Sequence, residues 1–376
     1  MRLKAADRFL HMYMLALKAR DTRANGAELM KPSEVRSILV VSSTAIGDTL
    51  ISTPAMRAVR KAFPKARVVA LLNAANMELF SNNPYIDAIV PFHGGYSRFF
   101  RTARELRKYS PDLALVFHGN EPQATPLCYL SGARFIFKLP NENEYNFLLS
   151  NREPVVGWNG LGHGIEARLA TAALAGVLPD GPRMDLFIED SDREAAGEFL
   201  RSEGVSGNDI IVGFQPGAST VSRQWFADRF TGLGKRLIGS YPGVKVVLTG
   251  SPAERALCER IKAGIGEGAI NSAGRLPLRQ VPPLIGGMRA FVTGDTGPMH
   301  IAITMGTPIV ALYAVADSRK SGPIVDMDRH VIIQKHRTCE PCVSKRCRYQ
   351  KCMENISIEE VFDAVRGVFE REGALG

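Results

Sequence analysis

Gly294-Asp295-Thr296-Gly297-Pro298-Met299-His300 follows an apolar run, Ala290 to Thr293, and precedes a short helical pattern that ends near Gly306. The order predicts a strand, a tight glycine turn and the first turn of a helix with Pro298 near its start. Free N–H groups at such a start favour an anion, and Thr296 and His300 add donors nearby. Asp295 does not suit a plain phosphate loop, because a carboxylate repels phosphate. It must cap the helix, bind a sugar hydroxyl or orient a donor. The combination points to a nucleotide-sugar or phosphosugar site.

Three further segments read as strand-to-helix turns. In Ser42-Ser43-Thr44-Ala45-Ile46-Gly47-Asp48-Thr49, Gly47 permits a sharp turn and Asp48 falls at the carboxyl edge of a sheet. A carboxylate there is either a general base for a sugar hydroxyl or an N-cap, and both readings stand. In Gln215-Pro216-Gly217-Ala218-Ser219-Thr220, small residues and hydroxyls suit a phosphate, and Arg223 adds a fixed positive charge. An ordinary capped turn with a surface arginine is the alternative. Thr249-Gly250-Ser251-Pro252-Ala253-Glu254 places Glu254 where it accepts from a ribose or base, or else serves the helix dipole.

Cys339, Cys342, Cys347 and Cys352 fall within 14 residues of an otherwise cysteine-poor chain. They suggest an all-thiolate structural site for zinc or an iron–sulfur cluster. Free thiols or two disulfides are the alternatives, since the spacing matches no standard zinc ribbon. Arg98, Arg101, Arg104 and Lys108 recur along one predicted helix, as contacts for an acidic acceptor or as a solvated face.

These residues need elements to hold them. A chain of 376 residues is long for one core and suggests about two domains. From Ser37, strand runs alternate with helical patterns: 38–42, 67–72, 88–92, 112–117 and 134–139, then 209–214, 244–249, 290–293 and 308–313. That rhythm predicts an α/β protein with parallel sheets covered on both faces. The expected divisions are a basic extension over 1–35, a Rossmann-like domain over 36–185, a second over 186–335, and a cysteine-containing segment with a C-terminal helix over 336–376. Ligands then belong at the carboxyl ends of the strands, in a cleft between two doubly wound domains.

Residues 1–20 form an amphipathic pattern. Leu3, Leu10, Tyr13, Met14 and Leu17 share one side, and Arg2, Lys4, Arg8, Lys18 and Arg20 supply charge. It is either a foot on an anionic inner-membrane surface or a helix packed on the protein's own core. No run of 18 apolar residues predicts a membrane span, and no secretory signal precedes residue 20. The expected place is the cytoplasm, peripheral on the inner membrane, with reduced cysteines. A net charge of +9 suits an acidic partner. Nucleic acid is the weakest candidate, because no RNP-type aromatic motif, histidine zinc finger or dense basic tract is present.

Taken together, the motifs resemble the glycosyltransferase family that includes the lipopolysaccharide heptosyltransferases. The resemblance covers roughly residues 36–365. It rests on Ile46-Gly47-Asp48 with Thr53-Pro54-Ala55, Asn83-Pro84-Tyr85-Ile86-Asp87, Pro216-Gly217-Ala218-Ser219, and above all 294–300. The cysteine set with Ile356-Ser357-Ile358-Glu359-Glu360 is similar to the tail of many members. The resemblance implies a GT-B fold and inverting transfer of heptose from ADP-heptose to a lipopolysaccharide core, an anionic glycolipid. It implies no cofactor for catalysis.

Asp48 matches the family's catalytic base. Ser219, Thr220 and Arg223 match the donor-phosphate segment, where members often carry lysine in place of Arg223. Asp295, Thr296, Gly297 and His300 match contacts to the donor diphosphate and sugar, and Glu254 lies near an adenosine-contacting acid. Thr44, Arg98 and Arg101 are the acceptor candidates. The basic extension and Pro282-Pro283 depart from the family pattern. Domain closure is expected to assemble the site. The rival readings are a nucleotide-sugar epimerase of the same fold and a non-catalytic sugar-nucleotide or glycolipid-binding protein. A dinucleotide dehydrogenase is disfavoured, because no G-x-G-x-x-G follows the first strand of either half.

Overall fold

The computed structural model describes residues 5–119, 121–339 and 347–373. The chain divides into two units, Met1–Asp185 and Leu186–Gly376. Each is built on one all-parallel sheet.

The first unit begins with α1 (Ala5–Arg20). There follow β1 (Ser37–Ser42), α2 (Ile46–Ala62), β2 (Arg67–Asn73), β3 (Ala88–Phe92), α3 (Phe99–Arg107), β4 (Leu113–His118), α4 (Ala124–Leu130), β5 (Phe135–Lys138) and α5 (Gly164–Ala173). The strand order is β3-β2-β1-β4-β5. All six residues of β1 are buried, as a central parallel strand with both faces covered requires.

The second unit runs α6 (Asp190–Ser202), β6 (Ile210–Gln215), α7 (Ala227–Ser240), β7 (Val244–Leu248), α8 (Arg255–Ile265), β8 (Ala269–Asn271), α9 (Val281–Gly286) and β9 (Ala290–Gly294). It continues with α10 (Gly297–Thr304), β10 (Ile309–Tyr313), α11 (Ser318–Ser321), β11 (Val331–Gln334) and α12 (Ile358–Arg371). The order is β11-β10-β9-β6-β7-β8. The sequence reading missed β8 and β11, which at three and four residues are too short for a periodic signal. Pro282 and Pro283 fall in the first turn of α9, where the missing N–H groups have no helical partner in any case.

The N-terminal helix divides its loyalties. Leu10 and Met14 are buried in the first core with Leu39 and Val69, so α1 packs on its own protein. Phe9, Met12, Tyr13 and Leu15 of the same helix remain exposed. The C-terminal helix closes the second core through Val361, Val365, Val368 and Phe369. Among the described residues, no helix is long and apolar enough to cross a membrane.

Helix α2 carries Pro54 in its interior. Proline has no N–H for the carbonyl of Leu50. The Thr53 hydroxyl donates to that carbonyl at 2.7 Å and in turn accepts the Asp185 N–H at 2.9 Å. Thr53-Pro54 thus ties α2 to the end of the unit. The Asn83–Asp87 motif is similarly structural: Asp87 accepts from the Val68 N–H at 2.7 Å and pairs with Arg60 at 2.6 Å.

Candidate active site

Each sheet changes its direction of growth beside its first strand. In the first unit β2 and β3 lie on one side of β1, and β4 and β5 on the other. The loops leaving β1 and β4 diverge there and open a crevice at the carboxyl ends of the strands. Asp48 follows β1, and His118 ends β4.

Asp48 is the third residue of α2. Its Oδ2 accepts the Thr44 hydroxyl at 2.7 Å and the Ala45 N–H at 3.4 Å. Its Oδ1 lies 3.6 Å from His118 Nε2 and 3.5 Å from an Arg168 guanidinium nitrogen. The capping and base readings therefore belong to different oxygens. Thr44 spends its one proton on Asp48, so the 2.7 Å contact between Thr44 Oγ1 and His118 Nδ1 has the histidine as donor. Asn73 steadies the turn by donating to the Thr44 carbonyl at 2.8 Å.

Burial pushes the Asp48 carboxyl up, but His118, Thr44, Arg168 and the Ala45 N–H outweigh it and hold the group below the ordinary aspartate range. Arg168 is almost fully buried in α5, and burial draws it below the usual arginine value against the pull of Asp48. Arginine nonetheless stays charged in proteins. The Asp48 side chain is 29% exposed, so the carboxylate is reachable from solvent. A reachable, ionised carboxylate oxygen can take a proton from a hydroxyl laid against it.

Sequence reasoning missed His118 and Arg168. The pairing of β1 with β4 shifts between Val41 and Ser42, so that Ser42 stands opposite His118 and Phe117 is skipped. A bulge of this kind re-aims a side chain, and alternation alone cannot reveal it. Arg168 comes from the middle of α5 and shows no local signal.

The second unit repeats the arrangement. Its growth reverses between β6 and β9, and the loops after those strands carry Arg223 and Asp295. A guanidinium nitrogen of Arg223 lies 3.1 Å from Asp295 Oδ2, and the Ser321 hydroxyl donates to Asp295 Oδ1 at 3.0 Å. The approach needs a glycine: a Cβ at Gly294 would lie 2.7 Å from the Arg223 carbonyl oxygen. Thr296 is the N-cap of α10, with Gly297 and Pro298 opening the helix. The Thr296 hydroxyl donates to Thr293 Oγ1 at 2.9 Å, because Thr293 gives its own proton to the Gly294 carbonyl. His300 is buried in α10.

Ser219 is exposed, and Thr220 precedes a single turn that ends at Arg223. Glu254 Oε2 accepts the Ser251 N–H at 2.7 Å and the Ser251 hydroxyl at 2.9 Å, a capping role. Its other oxygen lies over Gly217, where a Cβ would collide with it. The motifs after β6 and β7 thus meet, and Thr249 cements them by donating to Gln215 at 2.8 Å.

Arg98 and Arg101 line a different groove, at edge strand β3. It is a cavity of about 250 Å³ shared with His93 and Glu105, and Arg98 contacts His93 at 2.9 Å. Of the cysteine set, Cys342 lies outside the described residues. Cys352 is buried and accepts the Thr338 N–H at 3.4 Å, and Cys339 and Cys347 are part-exposed. Among the described residues no three His, Cys, Asp or Glu side chains converge on a metal position.

A family model described as glycosyltransferase family 9 (heptosyltransferase) matches residues 100–353. The chain is 24% identical over 307 residues to the lipopolysaccharide core heptosyltransferase OpsX of Haemophilus influenzae, covering 79% of this chain and 84% of that one. It is 24% identical over 356 residues to lipopolysaccharide heptosyltransferase 2 of Salmonella typhimurium, covering 89% and 99%. Among solved structures it is similar to the E. coli ADP-heptose lipopolysaccharide heptosyltransferase II. The TM-score there is 0.74, with 23% identity and coverage of 90% and 99%. The two parallel sheets and this likeness make the fold GT-B.

Proposed function

The chain belongs to glycosyltransferase family 9, the heptosyltransferases, and from that premise we propose that it moves heptose from ADP-heptose to a lipopolysaccharide-core acceptor with inversion. The observation that carries the reading is the pairing of Asp48 with Arg168 and His118 at one switch point and of Arg223 with Asp295 at the other.

In this reading Asp48 removes the proton from the acceptor hydroxyl. The oxygen attacks the anomeric carbon, and the bond from that carbon to the diphosphate oxygen breaks. ADP leaves with the electron pair. Arg223 and the N–H groups at the start of α10 offset the charge that develops on the diphosphate. Asp295 fixes the guanidinium and uses only part of its donor fork, which leaves N–H groups for phosphate. The same reading assigns Ser219, Thr220, Thr296 and Gly297 to the donor, with Glu254, whose carboxylate lies over Gly217, beside the phosphate segment. The first unit serves the acceptor and the second the donor.

Incubation with ADP-heptose, with and without lipid A-core acceptor, tests the reading. ADP release that requires the acceptor supports it. Epimerisation or hydrolysis of the donor alone favours the epimerase rival, and no turnover with retained ligand binding favours a binding protein.

Two finer parts belong to the proposal. Contact with an anionic membrane surface is supported by the exposed Phe9, Met12 and Tyr13 of α1, which meet the exposed Phe100 of α3 through a Tyr13–Phe100 ring contact at 6.1 Å. Arg8, Arg101 and Arg104 are exposed on the same two helices. Sedimentation with anionic against neutral vesicles tests it. A structural zinc or iron–sulfur site on Cys339, Cys342, Cys347 and Cys352 rests on their spacing alone. Elemental analysis of the purified protein tests that.

A further inference from the structure

Trp158 is exposed where an indole gains nothing from water. The chain has two tryptophans. Trp225 is 3% exposed in the second core, whereas Trp158 is 58% exposed on a single turn, Trp158–Gly160. An indole brings more apolar area than almost any side chain, and an exposed one forfeits that gain.

The turn is held on both sides. Before it, buried Asn141 accepts the Val156 N–H at 2.6 Å and donates to the carbonyls of Asn151 at 2.7 Å and Pro154 at 3.1 Å. After it, His163 caps α5: its Nδ1 accepts the Ile165 N–H at 3.1 Å, and its own N–H bonds Glu166 at 2.8 Å. Helix α5 is the element that delivers Arg168 to Asp48. Only residues 157–162 lie between these anchors, so the ring is presented by a short, pinned span.

The ring is also beside the proposed chemistry. Its centroid is 6.2 Å from that of His118, at 59° between planes. His118 in turn sits 3.6 Å from the Asp48 carboxylate. The indole, the imidazole and the reachable carboxylate therefore form one contiguous surface within the first unit. Sugar rings carry a face of C–H groups, which packs on the electron-rich face of an indole, while their hydroxyls project at the edge.

We propose that Trp158 is the platform on which the acceptor sugar stacks, so that its nucleophilic hydroxyl meets Asp48. The ligand class is a pyranose of the glycan acceptor. This rests on the transferase reading above. Donor recognition is assigned to the other unit, so the platform is a determinant of acceptor affinity.

Trp158→Ala and Trp158→Phe separate the cases in a transfer assay with a deacylated lipopolysaccharide-core oligosaccharide. Trp158→Ala should raise the acceptor KM roughly ten- to a hundredfold, with ADP-heptose KM and ADP affinity unchanged. Trp158→Phe should recover most of the loss. With Trp225 buried in the other unit, titration with the oligosaccharide should change wild-type fluorescence and leave that of Trp158→Phe unchanged. Unchanged acceptor KM in Trp158→Ala, or a rise in donor KM instead, overturns the platform and leaves the transferase reading standing. Failure of wild type to release ADP on acceptor addition overturns the reading itself. The fluorescence titration still judges the platform in that case, since a signal that survives Trp158→Phe, or never appears, removes it.

Discussion

The guanidinium of Arg223 stands 3.1 Å from the carboxylate of Asp295. An acid in an anion-binding turn is otherwise a repulsion. Paired, it becomes the group that aims a cation. Both side chains are largely covered, so the pair is worth more than an exposed one. Arg223→Ala should weaken ADP-heptose binding and lower kcat by roughly a hundred- to a thousandfold, the range for loss of one charge-stabilising donor. Arg223→Lys should recover part of the rate. Asp295→Asn should leave the charge but loosen its aim, costing less than Arg223→Ala. Steady-state kinetics with calorimetry on ADP decide it; equal, near-wild-type values for Arg223→Ala would remove that residue from the site.

Asp48→Ala should lower kcat by roughly a hundred- to ten-thousandfold, the usual contribution of a positioned base. ADP affinity should hold, since the donor groups are in the other unit. The check is a transfer assay with circular dichroism on the variant. Asp48→Asn should fare no better, because an amide keeps the contact with Thr44 and cannot take the proton. Wild-type turnover in either variant contradicts the assignment.

The pH dependence follows from the same cluster. Asp48 titrates below the ordinary aspartate value, so it is ionised above that pH and the base is lost only as pH falls through its lowered pKa. On the acid side His118 carries a proton and contributes to that lowering. His118→Asn keeps a donor for Thr44 and removes the charge. Burial is then offset less, the Asp48 pKa rises, and the acid limb of the kcat/KM profile should move to higher pH. An unmoved limb would mean that His118 does not act on Asp48.

Much of this fold lies near the surface of the sequence. Nine of the eleven described strands announce themselves as apolar runs, β8 and β11 being too short to do so, and Asp48, Arg223 and Asp295 each follow such a run. What escaped is what depends on contacts between distant segments. His118 needs a register shift in β4, and Arg168 reaches Asp48 from 120 positions away. Neither has a neighbour in sequence that explains it. Trp158 has no signal of its own in the sequence, because its place beside His118 comes from the fold. The Asp48 motif showed an acid but could not show that its two oxygens do different work.

Arg168 gives the sharpest stability test. It is a buried charge whose nearby acid is Asp48, and its Nε has no hydrogen-bond partner among the described residues. Removing one member of a buried pair leaves the other charge uncompensated and costs about 3–5 kcal/mol. Asp48→Asn, which strands the buried guanidinium, should therefore destabilise the first unit by up to about that much in urea unfolding. Arg168→Met alone should cost less, because the carboxylate it leaves is part-exposed and keeps its hydrogen bonds from Thr44 and Ala45. The double variant Arg168→Met with Asp48→Asn should lose less than the two singles added, since no unpaired charge remains. The pair should also fail with acid. Asp48 contributes its stability above the unfolded aspartate pKa of about 3.9, and that contribution disappears as pH falls through the lowered folded value. In the double variant this acid-sensitive part should vanish. Strict additivity across the cycle would show that Asp48 and Arg168 do not act as a pair.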